Sequence, residues 1–249
     1  MTTFFAFVSD LGHGSLYVLT CFSCFLMAFF LLGRHSKISL KATWYITTFW
    51  TWGVLLNTGL KFFILAPRPW YVHMGLSPLH PSPSGGYGMP SGHTQSAVGV
   101  YLLCWSISHL FDGLKHQRLW KASLRGCGLV WVILIALSRV YLHAHSFQQV
   151  LAGACSGFAL MSFIIWIDKQ VKATIYGLSL LLIGLSSCIY RFIYPYRVPQ
   201  AWLDRSQEFA VSIPQAPSIL LITTSFILSL ACLLVRDQFT NDGRSERRY

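Results

Sequence analysis

LVWVILIALSRVYLHAHSFQQVLAGACSGFALMSFIIWI, residues 129–167, contains two apolar runs separated by a short polar segment with Arg139, His143 and His145. A helix that crosses a bilayer needs about 20 apolar residues. The second run comes close to that length, and the first reaches it only if extended back to Gly126 or forward to His143. The stretch therefore predicts two membrane helices joined at one surface, with ionisable groups at the joint.

Apolar runs of this kind recur along the chain, at residues 15–32, 43–66, 94–111, 129–141, 150–167, 173–190 and 217–235. The whole sequence is 54% hydrophobic. Only 11% of its residues are charged, against roughly 25% in soluble domains. A soluble protein of 249 residues could not bury so much apolar surface, which excludes that class. We predict an all-α integral membrane protein with a bundle of six to seven transmembrane helices.

The organisation predicted from these runs is a single membrane domain over residues 1–249. Its motif-bearing core spans about residues 43–168, and possible additional helices lie at 173–190 and 217–235. The first run is not expected to be a removable signal peptide, because no Lys or Arg precedes Arg34. The seven cysteines all lie within or beside apolar runs, which argues against a disulfide framework or a zinc site.

The net charge of +11 follows a pattern along the chain. Most of the 19 Lys and Arg residues fall in alternate loops, around residues 34–41, 115–125, 169–172 and 236–248. Cytoplasmic loops carry an excess of Lys and Arg. The pattern therefore places the N-terminus outside and the C-terminus in the cytoplasm, and it indicates a topology rather than a nucleic-acid partner. Short loops and a C-terminal tail without a retention signal favour a bacterial inner membrane over the endoplasmic reticulum.

Three cations, Lys61, Arg68 and Arg139, lie where this topology does not explain them. Lys61 falls inside the second run, and Arg68 follows its end. Ionisable groups within a membrane segment are costly and indicate a functional site. On a continuous helix, a separation of seven residues would put both on one face, while Pro67 and Pro69 should end the helix. The alternative is that both side chains merely extend to the interface.

A second stretch, Pro90-Ser91-Gly92-His93, opens the third apolar run. Ser91 is suited to cap the N-terminus of a helix, and Gly92 allows a ligand to approach the backbone. The N–H groups at a helix N-terminus can bind an anion. His93 would then stand at the membrane surface beside that anion.

The third stretch contains Arg139 and His145, which lie six residues apart and would diverge on a continuous helix. They can converge only if the chain turns between them, with Arg139 ending the fourth span and His145 beginning the fifth. Gln149 lies four residues after His145 and should share its face. His143 is an alternative to His145 as the working histidine.

Together the three stretches resemble the signature of the type 2 phosphatidic acid phosphatase superfamily: Lys-x6-Arg-Pro, Pro-Ser-Gly-His and Ser-Arg-x5-His-x3-Asp. The resemblance covers about residues 57–155, and the fixed positions are Lys61, Arg68, Pro69, Pro90, Ser91, Gly92, His93, Ser138, Arg139 and His145. One position departs, because Gln149 stands where the family usually has Asp. Glucose-6-phosphatases and dolichyl-diphosphatases of this superfamily look similar at that position, with Gln.

The resemblance implies a membrane phosphatase that needs no metal or cofactor and works at the extracytoplasmic surface. His145 would be the nucleophile that forms a phosphohistidine, and His93 would be the general acid that later activates water. Gln149 would hold the ring of His145 by accepting a hydrogen bond from its other nitrogen. The phosphate would be bound by cations and by N–H groups of the second stretch: Lys61, Arg68, Ser91, Gly92 and Arg139.

Several alternatives stay open at this point. The substrate could be a polyprenyl diphosphate, phosphatidyl-glycerophosphate, phosphatidate or a lipid A phosphate, with residues 71–86 at the entrance. A phosphotransferase using the same intermediate and a non-catalytic transporter or binding protein for anionic lipids are the competing functions. Asp204 or Glu208 could supply the carboxylate that Gln149 lacks. The sequence does not indicate an oligomeric state.

Overall fold

The computed structural model describes residues 1–12, 37–81, 83–107, 116–168, 173–220 and 222–231. Within these ranges all regular structure is helical, which confirms the predicted class. The helices are α1 (Thr2–Leu11), α2 (Lys37–Ile64), α3 (Pro69–Val72), α4 (Gly92–Ile107), α5 (Gln117–Tyr141), α6 (Phe147–Ile167), α7 (Ala173–Ile193), α8 (Gln200–Glu208) and α9 (Ile222–Ala231).

Three described stretches are long and apolar enough to cross a membrane: Trp44–Val72, Gln117–Tyr141 and Phe147–Ile167. They support the prediction of a membrane protein, while the number of six to seven spans stays a prediction. The predicted run at 15–32 lies outside the described residues, as do Arg34, Lys115, Lys169, Lys172 and the basic tail after residue 231.

The core of the bundle lies between α2, α4, α6 and α7. Its most buried side chains are large and apolar, among them Trp52, Met161 and Ile164. Trp44 is also buried here. The described cysteines, Cys104, Cys127, Cys155 and Cys188, are free thiols, and Cys21, Cys24 and Cys232 lie outside the described residues.

Two glycines of α6 allow α4 to approach closely. A Cβ atom on Gly153 would lie 2.5 Å from the carbonyl oxygen of Ser91, and one on Gly157 would lie 2.4 Å from that of Gln95. Real Cβ atoms do not come so near to a backbone oxygen. The Gly-x-x-x-Gly pair is therefore a helix-packing motif.

A polar network joins three helices just below the loops. Asn57 of α2 donates its side-chain N–H to Oε1 of Gln95 at 2.9 Å, and Ser156 of α6 donates to the same oxygen at 3.1 Å. The amide nitrogen of Gln95 donates to the carbonyl of Gly53 at 3.0 Å. Because buried polar groups are costly unless paired, this network fixes the relative position of α2, α4 and α6.

Three loops meet at one end of the bundle, at residues 65–91, 142–146 and 194–218. The N–H of Leu79 donates to the carbonyl of Leu142 at 3.2 Å, and the N–H of Gly86 donates to that of Ser212 at 2.9 Å. Arg205 of α8 donates to the carbonyl of Leu76 at 2.7 Å. These are the loops that alternating topology assigns to the extracytoplasmic side, and that assignment stays a prediction.

Candidate active site

The chain bends sharply between Lys61 and Arg68. Helix α2 ends at Ile64, and Leu65 adopts the left-handed region with φ of 56°. Arg68 then lies in extended backbone as the residue before α3. On a continuous helix Lys61 and Arg68 would share one face, but α2 ends before Arg68. The residue preceding Pro67 cannot easily stay helical, and α2 ends two residues before the end of the predicted run at residue 66. The bend, rather than helical periodicity, positions Arg68.

Arg68 is only 2% exposed and fixes two loops around itself. Its Nη2 donates to the carbonyl of Gly85 at 2.8 Å, and its Nη1 donates to that of Ala144 at 2.8 Å. The same Nη1 lies 3.4 Å from Nε2 of His145. One guanidinium thus joins the first and third sequence motifs beside the ring of the predicted nucleophile.

The ring of His145 has a defined orientation. Its Nδ1 lies 2.7 Å from the carbonyl oxygen of Gly88 and 3.3 Å from Oε1 of Gln149. Both partners can only accept a hydrogen bond, so Nδ1 carries the hydrogen and Nε2 keeps its lone pair. This nitrogen is the one that faces Arg68.

His145 is also held in its neutral form. Burial lowers the pKa of the imidazole well below its usual value, and the nearby charges of Arg68, Arg139, Lys61 and His93 lower the pKa further. Burial and neighbouring cations both disfavour the imidazolium. A buried neutral imidazole with an unprotonated Nε2 has the form that a nucleophilic histidine needs.

The role of Gly88 was missed by sequence reasoning. Its carbonyl is the nearest acceptor for Nδ1 of His145, and a Cβ atom at this position would lie 2.5 Å from both Nε2 and Oε1 of Gln149. Only glycine fits between the two side chains. The sequence shows only that Gly88 directly precedes Met89 and Pro90. This position does not indicate that its carbonyl contacts His145.

Gln149 connects three segments rather than acting on His145 alone. It forms a capping box with Ser146 at the start of α6, in which its Oε1 accepts the N–H of Ser146 at 3.2 Å. Its Nε2 donates to the carbonyl of Pro67 at 2.6 Å, and its own carbonyl accepts the N–H of Ser91 at 3.0 Å. The donor nitrogen is a group that an aspartate could not provide.

Ser91 stands directly before α4, as predicted for an N-cap, and is fully buried. Its N–H is donated to Gln149, and its hydroxyl accepts from that of Thr94 at 3.1 Å. This N–H is therefore engaged within the protein, so the predicted phosphate cradle cannot use it without breaking a bond. Gly92 and His93 follow at the first turn of the helix.

Arg139 lies near the end of α5 and is 3% exposed. The carbonyl of Arg139 accepts the N–H of His145 at 3.1 Å, which gives the turn that the sequence predicted. Its Nη1 donates to the hydroxyl of Ser9 in α1, while its Nε is buried without a hydrogen-bond partner. A buried donor of this kind is costly and points to a ligand.

A cavity of about 260 Å³ opens beside these cations. His93 and Arg139 line it together with the predicted entrance segment and with Ser9 and Asp10 of α1. The entrance segment contributes Pro78, His80, Pro83 and Ser84.

Some candidates lie away from this cavity. The Nδ1–H of His143 donates to the carbonyl of Ser77 at 2.8 Å. Asp204 accepts from Gln200, and Glu208 pairs with Arg205 on α8. The carboxylate that lines the cavity belongs instead to Asp10, a residue that sequence reasoning did not single out.

Comparison of the sequence with known proteins identifies the family of the chain. The sequence profile of the PAP2 superfamily matches residues 42–173, more than half of the chain. The chain belongs to the PAP2 superfamily. The matched segment contains all three sequence motifs, whereas α1, α8 and α9 lie outside it.

Individual PAP2-related proteins resemble the chain over part of its length. A glucose-6-phosphatase 3 of Bos taurus is 29% identical over 59% of this chain and 46% of its own length. A dolichyldiphosphatase of Saccharomyces cerevisiae is 29% identical over 66% of this chain and 73% of its own. A phosphatidylglycerophosphatase B of Bacillus subtilis is 31% identical over 47% of this chain and 54% of its own. No solved structure matches the chain.

Proposed function

We propose that the protein is a membrane phosphatase that hydrolyses a lipid phosphate or diphosphate through a phosphohistidine, without a metal. The observation that carries the proposal is the state of His145. Its Nδ1–H is donated to Gly88, and its unprotonated Nε2 lies 3.4 Å from Nη1 of Arg68. In a protein of the PAP2 superfamily, a neutral imidazole beside a group of cations is suited to phosphoryl transfer.

In the first step, Nε2 of His145 attacks phosphorus and forms an N–P bond. The bond between phosphorus and the leaving oxygen breaks, and His93 donates a proton to that oxygen. In-line displacement puts the leaving group on the side of phosphorus away from the nucleophile. The cavity lined by His93 is therefore the compartment in which we place the leaving group.

In the second step, water replaces the histidine. His93, now neutral, accepts a proton from the water as its oxygen attacks phosphorus, the N–P bond breaks, and inorganic phosphate is released. The Nδ1–H of His145 stays bonded to Gly88 throughout. That bond stabilises the positive charge that the ring acquires while it carries the phosphoryl group.

Positive charge around the phosphate comes from the protein. Charge spreads over the equatorial oxygens of the phosphoryl group during transfer, so catalysis depends on fixed positive groups. Lys61 and the guanidinium groups of Arg68 and Arg139 supply them, with planar forks suited to two oxygens at once. We also include Gly92 in this site, whose lack of a side chain leaves room at the start of α4.

The substrate is proposed to be a phosphorylated lipid at the extracytoplasmic, periplasmic face of an inner membrane. The support is the position of the site at one end of apolar helices and the names of two relatives, a dolichyldiphosphatase and a phosphatidylglycerophosphatase. Because other relatives are glucose-6-phosphatases, a soluble phosphate ester is included as a control substrate.

The experiment is phosphate release by the purified protein in detergent with EDTA present. The panel contains a polyprenyl diphosphate, phosphatidyl-glycerophosphate, phosphatidate and glucose 6-phosphate, each with wild type and His145→Ala. We expect release from at least one lipid by wild type and none by the variant. Hydrolysis that stops with EDTA, or that persists in His145→Ala, would refute the mechanism. Turnover only with an added alcohol acceptor would identify a phosphotransferase, and binding without turnover would identify a lipid-binding protein.

A further inference from the structure

Helix α1 precedes the segment that matches the PAP2 profile, yet it reaches the active site. Its residue Ser9 is 1% exposed and accepts a hydrogen bond from Nη1 of Arg139. Ser9 is therefore packed inside the protein against Arg139. The contact connects residues 130 positions apart in the chain.

The rest of α1 fixes Ser9 in place. Val8 packs into a buried cluster with Ile135 of α5, and the rings of Phe5 and Tyr141 lie 4.5 Å apart. These contacts repeat along both helices, so α1 lies against the last two turns of α5. The position of Ser9 relative to Arg139 is therefore determined by packing on both sides of the hydrogen bond.

Asp10 adds a charge at the same place. Its carboxylate lines the same cavity as Arg139 and lies 3.0 Å from Nε2 of His80. Among the described residues that line the cavity, Asp10 provides the carboxylate. Helix α1 therefore offers Arg139 one hydrogen-bond acceptor and one negative charge.

Arg139 keeps one donor unused. Its Nε is buried without a partner, although Nη1 is bonded to Ser9. A guanidinium is planar and rigid, so fixing one nitrogen fixes the direction of the others. The bond that Arg139 donates to Ser9 thus fixes the direction of its remaining N–H groups beside the cavity that Arg139 lines.

We propose that Ser9 is a positioning residue that orients the Arg139 guanidinium toward the substrate phosphate. The inference rests on the proposed function, in which Arg139 binds that phosphate. Ser9 acts through Arg139 and does not itself touch the reacting atoms. The proposal makes α1 a part of the phosphate site, although it lies outside the family's matched segment.

The test compares Ser9→Ala with Ser9→Thr, which keeps the hydroxyl, and with Thr3→Ala, a matched change on the exposed face of α1. We measure KM, kcat and the inhibition constants for inorganic phosphate and orthovanadate. Loss of a hydrogen bond to a charged group should weaken phosphate and vanadate binding by about tenfold in Ser9→Ala. Ser9→Thr should recover most of the affinity, and Thr3→Ala should match wild type.

A double-mutant cycle separates positioning from a general effect on folding. Orthovanadate raises the melting temperature of a protein that binds it, so the shift can be measured even in variants without turnover. In an Arg139→Lys background, which lacks the planar fork, Ser9→Ala should change the vanadate affinity by less than about twofold. A full tenfold effect in that background would show that Ser9 does not act through Arg139.

The outcomes distinguish the two proposals. If wild type hydrolyses a lipid phosphate but Ser9→Ala binds phosphate and vanadate as wild type does, the role of Ser9 is refuted and the function stands. If wild type hydrolyses nothing in the panel but binds vanadate in a Ser9-dependent way, the function is refuted and the role of Ser9 stands.

Discussion

The carbonyl oxygen of Gly88 lies 2.7 Å from Nδ1 of His145, closer than the 3.3 Å between Nδ1 and Oε1 of Gln149. A backbone carbonyl therefore performs the orienting task for which the family pattern usually provides an aspartate. A carbonyl carries no net charge and cannot titrate. Because the Gly88 carbonyl accepts the hydrogen on Nδ1, the imidazole of His145 keeps one tautomer even though Gln149 stands where the family usually has Asp.

Gly88→Ala should reduce kcat by at least about tenfold, because the added Cβ would lie 2.5 Å from the amide of Gln149 and displace either that amide or the carbonyl. KM should change less, since the cations are not moved. The matched control is Gly75→Ala, where a Cβ meets nothing within 4 Å. Equal kcat values for the two variants would show that the Gly88 carbonyl does not orient the nucleophile.

Gln149→Ala should reduce turnover with little change in substrate affinity. It removes the weaker acceptor for His145 and frees the carbonyl of Pro67. Gln149→Glu should be no better, because a carboxylate cannot donate to Pro67 and would be repelled by its carbonyl. Exposed Gln148 provides the control, as Gln148→Ala. Steady-state kinetics check the prediction, and a wild-type kcat in Gln149→Ala would remove Gln149 from the mechanism.

The depressed pKa of His145 predicts that its ring stays neutral when the solution is acidified. Burial is the main cause, followed by the charge of Arg68. A lowered pKa means that the proton binds only at a pH below the usual value of about 6.5. Nitrogen-15 NMR of histidine-labelled protein, assigned with His145→Ala, should show a neutral Nδ1–H tautomer at pH 6.5. An imidazolium signal for His145 at that pH would contradict the prediction.

His145 rather than His143 should carry the phosphoryl group. His145 is buried among the cations, whereas His143 faces the loop at Ser77. Rapid acid-free quenching with a ³²P-labelled substrate should trap label in wild type and in His143→Ala, and none in His145→Ala. Label that disappears only in His143→Ala would reverse the assignment.

Much of the site could be predicted from the sequence, because a few physical constraints leave little freedom. Arg139 and His145 cannot share a helical face, so a turn had to separate them. The resemblance put Arg68 of the first motif and His145 of the third in one site, and the two residues do lie together. Gly153 and Gly157 lie four residues apart, a spacing typical of close helix packing in membranes, and α4 does approach α6 closely at both.

The other features of the site could not be predicted, because they depend on contacts between distant residues that leave no local pattern in the sequence. The acceptor for His145 is a backbone carbonyl, and every residue has one, so nothing in the sequence distinguishes Gly88 as the partner. Ser9 reaches Arg139 only through the packing of α1. The predicted run extends to residue 66, with Pro67 beyond it, whereas α2 ends at Ile64 because Leu65 adopts positive φ.

Gly153→Ala and Gly157→Ala should both destabilise the protein but differ in their effect on activity. Each added Cβ would meet a backbone oxygen of the facing segment, and overpacking of this kind costs about 1–3 kcal/mol. Thermal unfolding in detergent should show a lower melting temperature for both. Gly126→Ala, where a Cβ meets nothing within 4 Å, is the control.

The difference between the two arises from what lies opposite each glycine. Gly153 faces Ser91, whose N–H is bonded to Gln149, so the overpacked backbone there should disturb the segment that holds His145. Gly157 faces Gln95, one turn further from the loops. At a temperature where both variants are folded, Gly153→Ala should lose most of its kcat while Gly157→Ala keeps at least half. Equal losses would show that Ser91 does not link helix packing to the position of the nucleophile.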